Sequence, residues 1–330
     1  MQAKQRLQND VAAASDSERG RHRLALAQFY FAHGFYADAL GTLKLARDQD
    51  KVGEGPAFRL LLGATALLTG DLEIAGKALM DPRLTGQAEA ALWRGALKSA
   101  QLDWTDAGEA FRQGRGLLRF YEEPFRSGFT LQAARASLAR SEPNAALEYL
   151  DILMARQPSE AQAQEAAYLR GEILRAQGEL GAALAQWQNV IEQAEPPTRI
   201  EAQLARAEVQ LALGRISRPE AIAELETLRF AWRGDDVEFR ILRRLADYYL
   251  AEDQYRLALN NLRRAADFYP NHPEAGALRR KLRQAFLDLF LEGKAALIPP
   301  VAALGIYDEF KELTPADSRG DAIIRRLAER

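Results

Sequence analysis

Three histidines are the side chains best suited to proton transfer or metal binding in this chain, and their surroundings in sequence support neither role. His22, His33 and His272 are not followed at i+3 or i+4 by a His, Asp or Glu, the spacing that puts two ligands on one helical turn, and all three read as turn or surface residues. With no cysteine in the chain, thiolate catalysis, disulfides and Cys-ligated zinc are excluded together. Gln113-Gly114-Arg115-Gly116 lacks the Lys-Ser or Lys-Thr that completes a phosphate loop, and no Gly-x-Ser-x-Gly elbow occurs. Asp235-Asp236 and Glu122-Glu123 are adjacent acids, but each pair stands just before a helical segment, where negative charge complements the helix N-terminus. Arg233-Gly234-Asp235 spells an integrin-type tripeptide in a joint between helices and reads as coincidence. The expectation is a non-enzymatic protein with no metal and no cofactor; an enzyme reading requires a catalytic domain outside this segment.

Ala, Leu, Arg, Glu and Gln dominate the 330 residues, Val is scarce, and these strong helix formers predict an all-α protein. At 48% apolar and 27% charged the chain is too apolar for disorder. A net charge of −2 argues against a polyanion binder, so no nucleic-acid partner is expected. The longest apolar run, Phe58 to Leu68, is interrupted by Arg59 and fits a core helix, so no membrane insertion is expected of this segment. Gln2 to Asn9 is polar and is no signal peptide. Met1 leads straight into a helical pattern and Asp321 to Arg330 reads as a helix without a C-cap, as in a piece cut from a longer protein. Trp93, Trp104 and Trp187 fall on core periodicity, whereas Trp232, in a joint, is the one candidate for an exposed anchor.

The elements that carry these residues repeat. Ala27, Tyr30, Gly34, Tyr36, Ala39, Leu43 and Ala46 have the same spacing as Ala246, Tyr249, Asp253, Tyr255, Ala258, Leu262 and Ala265. Five further copies lie between, marked by Gly63, Gly95, Ala134, Gly171 and Ala207, and the intervals between successive small residues are 36, 32, 39, 37, 36 and 39. In the sixth copy Ala221, Leu225 and Leu228 come two residues late, so Ile216 to Pro219 should form a lengthened turn. Small residues opposite bulky ones let two antiparallel helices approach closely, and stacking such hairpins buries a core that one hairpin cannot. The pattern resembles the tetratricopeptide repeat (TPR) family, whose period is about 34 residues. The resemblance implies a TPR-type helical-hairpin solenoid, a right-handed superhelix, with residues 1–19 as an N-terminal helix or cap, 20–272 as seven repeats, and 273–330 as C-terminal helices that cap the array or continue it in degenerate form. Helices are expected at Ala3 to Ala14, Glu274 to Leu291, Val301 to Leu313 and Asp321 to Leu327.

Proteins of this family use the concave face, lined by the first helix of each repeat, to hold a peptide or a partner's helix. Carried over by register, the groove positions include Phe31, Leu60, Ala64, Leu67, Leu92 and Ala96 in the N-terminal half, then Leu131, Arg135, Tyr168, Glu172, Arg175, Glu208, Arg240, Arg243 and Asp247 toward the C-terminus. The groove should therefore be apolar at one end and charged at the other. Either a partner's amphipathic segment fills the apolar part while the arginines hold carboxylates through forked hydrogen bonds, or the chain's own first helix fills it and the arginines pair with Glu172, Glu208 and Asp247. The pattern of the chaperone-binding carboxylate clamp is not matched. A second, more distant resemblance, in Leu228 to Asp235, Pro270 to Glu274 and Tyr307 to Pro315, is to the repeat regions of large bacterial envelope proteins. It favours the periplasm if the chain is a piece of a longer secreted protein, and the cytoplasm otherwise. The expected function is a bacterial interaction scaffold or adaptor for a protein or peptide partner; the alternative is a self-assembling structural component of an envelope complex, a homo-oligomer.

Overall fold

The computed structural model describes residues 2–49 and 55–329. Among these residues there are eighteen α-helices and no strand. They are α1 (Gln2–Ala13), α2 (Asp16–Ala32), α3 (Tyr36–Asp48), α4 (Pro56–Leu68), α5 (Leu72–Leu79), α6 (Ala88–Ala100), α7 (Trp104–Gly114), α8 (Phe125–Ala139) and α9 (Pro143–Met154), followed by α10 (Glu160–Ala176), α11 (Leu180–Gln193), α12 (Thr198–Ala212), α13 (Arg218–Ala231), α14 (Asp236–Ala251), α15 (Tyr255–Phe268), α16 (Ala275–Leu291), α17 (Pro300–Glu309) and α18 (Ser318–Ala328). From α2 to α15 the helices pack as seven successive hairpins. The protein is a TPR-type helical-hairpin solenoid.

The repeat pattern has a direct geometric cause. Each first helix ends in a residue with a left-handed backbone, seven positions after the small residue: Gly34, Gly70, Leu102, Ser141, Gly178, Gly214 and Asp253, with φ between 55° and 84°. That single residue reverses the chain, which is why glycine is favoured there and why Leu102 and Ser141 carry strain. Five residues past this turn, or seven in the sixth hairpin, stands an alanine of the second helix, and Ala39, Ala75, Ala107, Ala146, Ala183, Ala221 and Ala258 are all fully buried. The small residue itself faces a bulky one on the second helix. A Cβ on Gly63 would meet Leu79 at 2.5 Å, one on Gly95 would meet Phe111 at 2.7 Å, and one on Gly171 would run into the Trp187 indole. Glycine at these three sites lets the helices close until Leu79, Phe111 and Trp187 are buried.

The chain folds as two compact units, Met1–Pro158 and Ser159–Arg330. In the first, α1 lies on α2, with Leu7 and Val11 against Leu26, Tyr30 and Ala39. In the second, the last hairpin joins the C-terminal helices in one core of Phe239, Leu262, Phe286, Leu289, Phe310 and Ile323.

Three local expectations change. The sixth turn is lengthened, but Arg218 and Pro219 already belong to α13, because Ser217 and Glu220 form a reciprocal capping box and Pro is tolerated in the first turn. Val301 to Leu313 is not one helix: α17 stops at Glu309, and Lys311–Leu313 is a 3-10 turn. His272 is not a surface residue. It is 8% exposed, stacks on Phe239 at 3.5 Å between ring centroids, and its Nε2 lies 3.1 Å from Asp236.

Candidate functional site

The first-helix face has a different chemistry in each unit. In the first, Phe31 of α2, half-buried, stacks on Phe125 of α8 with centroids 5.8 Å apart and planes 4° from parallel. Trp93 of α6 meets Phe31 at 6.1 Å, Phe125 at 5.4 Å and Phe129 at 5.0 Å, and Tyr36 closes the edge at 6.4 Å from Phe125. The Trp93 indole N–H donates to the Tyr121 hydroxyl, which donates to Glu89, so the polar tips of this cluster are satisfied. Ala64, Leu92, Ala96 and Leu131 are buried, and Leu60, Leu67 and Arg135 are half-buried on α4 and α8. The chain's own rings fill much of this face, and α1 lies on α2, where Leu7 and Val11 pack on the same cluster as Phe31.

In the second unit the same face carries a lattice of ion pairs that passes from one first helix to the next. Arg175 of α10 donates to Glu172 on its own helix and, at 3.3 Å, to Glu208 of α12. Glu208 also accepts from Arg244 of α14 at 2.7 Å, Arg244 lies 3.7 Å from Asp247, and Asp247 accepts from Lys281 of α16. A second row runs beside it: Arg240 of α14 donates to Glu201 of α12 at 3.4 Å and bonds the Tyr168 hydroxyl of α10. Arg243 donates to Glu274 at the start of α16.

Burial divides these groups into two kinds. Tyr168 and Glu201 are buried, and burial works against the charge of Arg240, yet Tyr168, Glu201 and Asp236 hold its pKa above the ordinary value. Burial works against Arg244 as well, and Glu208, Tyr248 and Asp247 together outweigh it, so that this guanidinium too is held above its ordinary value. Glu172 goes the other way. Burial pushes its carboxyl above the usual range, Arg175 and Arg240 pull it down, Glu208 and Glu201 push it up, and the net direction is upward. Its Oε1 is buried without a hydrogen-bond partner. Arg175, Arg243, Arg244, Glu274 and Lys281 each keep about a third or more of the side chain accessible.

Of the charged and polar residues expected at that end, Tyr168, Glu172, Arg175, Glu208, Arg240, Arg243 and Asp247 lie on α10, α12 and α14 of one unit and take part in this lattice, whereas Arg135 lies on α8 of the other unit. Sequence reasoning missed Glu201, Arg244, Glu274 and Lys281. The readable signal was Arg244, one turn beyond Arg240 on the same helix. Trp232 is a capping partner rather than an exposed anchor: its indole donates to Asp235 at 2.9 Å while Asp235 caps α14, and its ring packs with the core of that hairpin. Among the described residues no group of three potential metal ligands comes together, and no helix is long and apolar enough to cross a membrane.

No family model matches the sequence, and no curated protein does either. Solved structures do match. A tetratricopeptide repeat protein from Parabacteroides merdae is 14% identical over 80% of this chain and 98% of its own, with a TM-score of 0.56. NprR in complex with its cognate peptide NprX is 12% identical over 94% of this chain and 98% of its own, with a TM-score of 0.60. A Rap protein complexed with competence and sporulation factor is 14% identical over 95% of this chain and 97% of its own, with a TM-score of 0.59. At these identities the likeness is one of fold, and it is the TPR-type helical-repeat fold that the hairpins define.

Proposed function

We propose that the chain is a non-enzymatic protein-interaction scaffold, and that the first-helix face of the second unit, around Arg175, Arg240, Arg243 and Asp247, holds a peptide or helix of a protein partner. The observation that carries this reading is the ion-pair lattice itself. Partly buried ion pairs contribute little net stability, and apolar residues in their place would serve a purely structural purpose as well or better. Arginine forks that run along a continuous face match the carboxylates and backbone carbonyls of an extended segment. NprR and the Rap protein, which share the fold, are each complexed with a peptide or factor, and that lends support to the same use here. The helices of residues 1–19 and 273–330 serve in this reading as caps on the seven repeats. Selection of random peptides displayed on phage against the whole chain, followed by hydrogen exchange with a selected peptide bound, tests it. Protection is expected on α10, α12 and α14; protection confined to α2, α6 and α8 overturns it.

A second reading, self-association, is favoured by one feature. Leu297, in the turn before α17, and Val301 and Leu304 on α17 are large apolar side chains that are 81%, 84% and 58% exposed. A monomer by sedimentation at tens of micromolar removes this reading, and a dimer lost in Val301→Glu supports it.

A further inference from the structure

This inference rests on the reading of the second unit's first-helix face as the binding face, and it concerns the kind of partner and its control. We propose that Glu172 competes with a partner's carboxylate for Arg175, so that the face takes an acidic segment and takes it more tightly when Glu172 is neutral.

The geometry carries it. Glu172 is 12% exposed and Arg175 36% exposed, so the acid is enclosed while the guanidinium it holds is open to solvent. One carboxylate oxygen of Glu172 accepts from Arg175, and the other is buried with no donor. A carboxylate satisfied on one side only is poorly compensated for leaving water, and the orphan oxygen can carry a proton without losing any hydrogen bond. Burial accordingly pushes the Glu172 carboxyl above its ordinary value. Arg175 has other support: it keeps Glu208 at 3.3 Å and lies over the Trp187 ring of α11, 5.9 Å from its centroid. It can therefore change one partner without losing its position. The charged and titratable groups around Glu172 are Tyr168 and Arg175 on its own helix, Glu201 and Glu208 on α12, and Arg240 on α14. Arg240 is committed to Glu201 and Tyr168 and Arg244 to Glu208 and Asp247, which leaves Arg175 as the cation between an internal and an external acid.

The sign follows from linkage. An external carboxylate that draws Arg175 away removes the cation that favours ionised Glu172, so binding raises the Glu172 pKa, and protonation of Glu172 strengthens binding by the same factor.

The test uses a fluorescent oligomer of alternating glycine and cysteic acid, whose sulfonates stay ionised throughout. Its affinity is measured from pH 8 to pH 5 on the whole chain, on Glu172→Gln and on Arg175→Gln, with each variant shown to be folded by circular dichroism. The wild-type chain should bind about tenfold more tightly at the acid end, as expected for roughly one ion pair gained. Glu172→Gln should match that acid-end affinity at every pH, and Arg175→Gln should bind weakly at every pH. In the wild type alone, carbon-13 NMR of the Glu172 carboxyl should show its midpoint move to higher pH when the oligomer is added. Binding of the oligomer with the same pH dependence in Glu172→Gln as in the wild type, or with an unmoved Glu172 midpoint, overturns the competition and leaves the binding face standing. Absence of binding by every form at every pH overturns the acidic partner itself.

Discussion

In the first unit Phe31, Trp93 and Phe125 meet ring against ring on the first-helix face, and in the second Arg175, Glu208 and Arg244 stand on the equivalent helices. The hairpins beneath are built alike in both, from a left-handed turn residue, a buried alanine and a small residue opposite a bulky one. The repeat fixes the helices and leaves the first-helix face free to vary. Aromatic rings on that face turn towards one another and add to the core. Charged groups there stay partly in water, where pairing contributes little to stability.

Five substitutions break or sharpen this contrast. Trp93→Ala should cost about 3–5 kcal/mol, because it empties the centre of the aromatic cluster, and urea unfolding reads it directly. A cost below about 1 kcal/mol would mean that the rings do not form a core. Arg240→Glu is the most damaging change within the lattice. It sets a carboxylate against buried Glu201, and a loss of about 2–3 kcal/mol is expected, less than for a fully enclosed pair because the Arg240 side chain keeps partial access to water. Ala258→Leu, at a fully buried hairpin contact, should cost about 1–3 kcal/mol, against less than about 0.5 kcal/mol for exposed Glu192→Ala. Ser141→Gly should stabilise by up to about 1 kcal/mol, since it relieves the left-handed strain at the one hairpin turn occupied by serine.

The pH response gives one more expectation, and its sign is opposite to that of an ordinary paired acid. Because folding raises the Glu172 pKa, its contribution to stability is fully present below the unfolded value and is lost as pH rises through the folded value. Glu172→Gln should therefore melt higher than the wild type at pH 8, with the difference shrinking as the pH falls towards 4. A lower melting point at pH 8 would show that the bond from Arg175 outweighs burial.

The hairpins were legible because their determinants are local. Ala39 and Leu43 lie within one repeat of Ala27, and the same offsets recur down the chain, so periodicity alone locates turns and contacts. The polarity of the first-helix face was legible for the same reason. Its pairing was not. Arg175 and Glu208 are 33 residues apart, Arg244 and Glu208 36, and Arg240 and Glu201 39, so no single offset connects one first helix to the next. Nor could the sequence bring Phe31 to Phe125, because that contact depends on how far four successive hairpins curl. His272 was hidden by its Pro270-Asn271-His272-Pro273 context, which reads as an exposed joint but folds the ring onto Phe239.

The most direct test of the account is Arg243→Glu, with affinity for a selected peptide and thermal unfolding measured on the same sample. Arg243 pairs with Glu274, at the margin of the lattice, and both side chains are substantially open to water. Reversing its charge should leave stability within about 1 kcal/mol of the wild type and weaken peptide binding at least tenfold. Unchanged affinity in a folded variant would contradict the assignment of the second unit's first-helix face as the site where the partner is held.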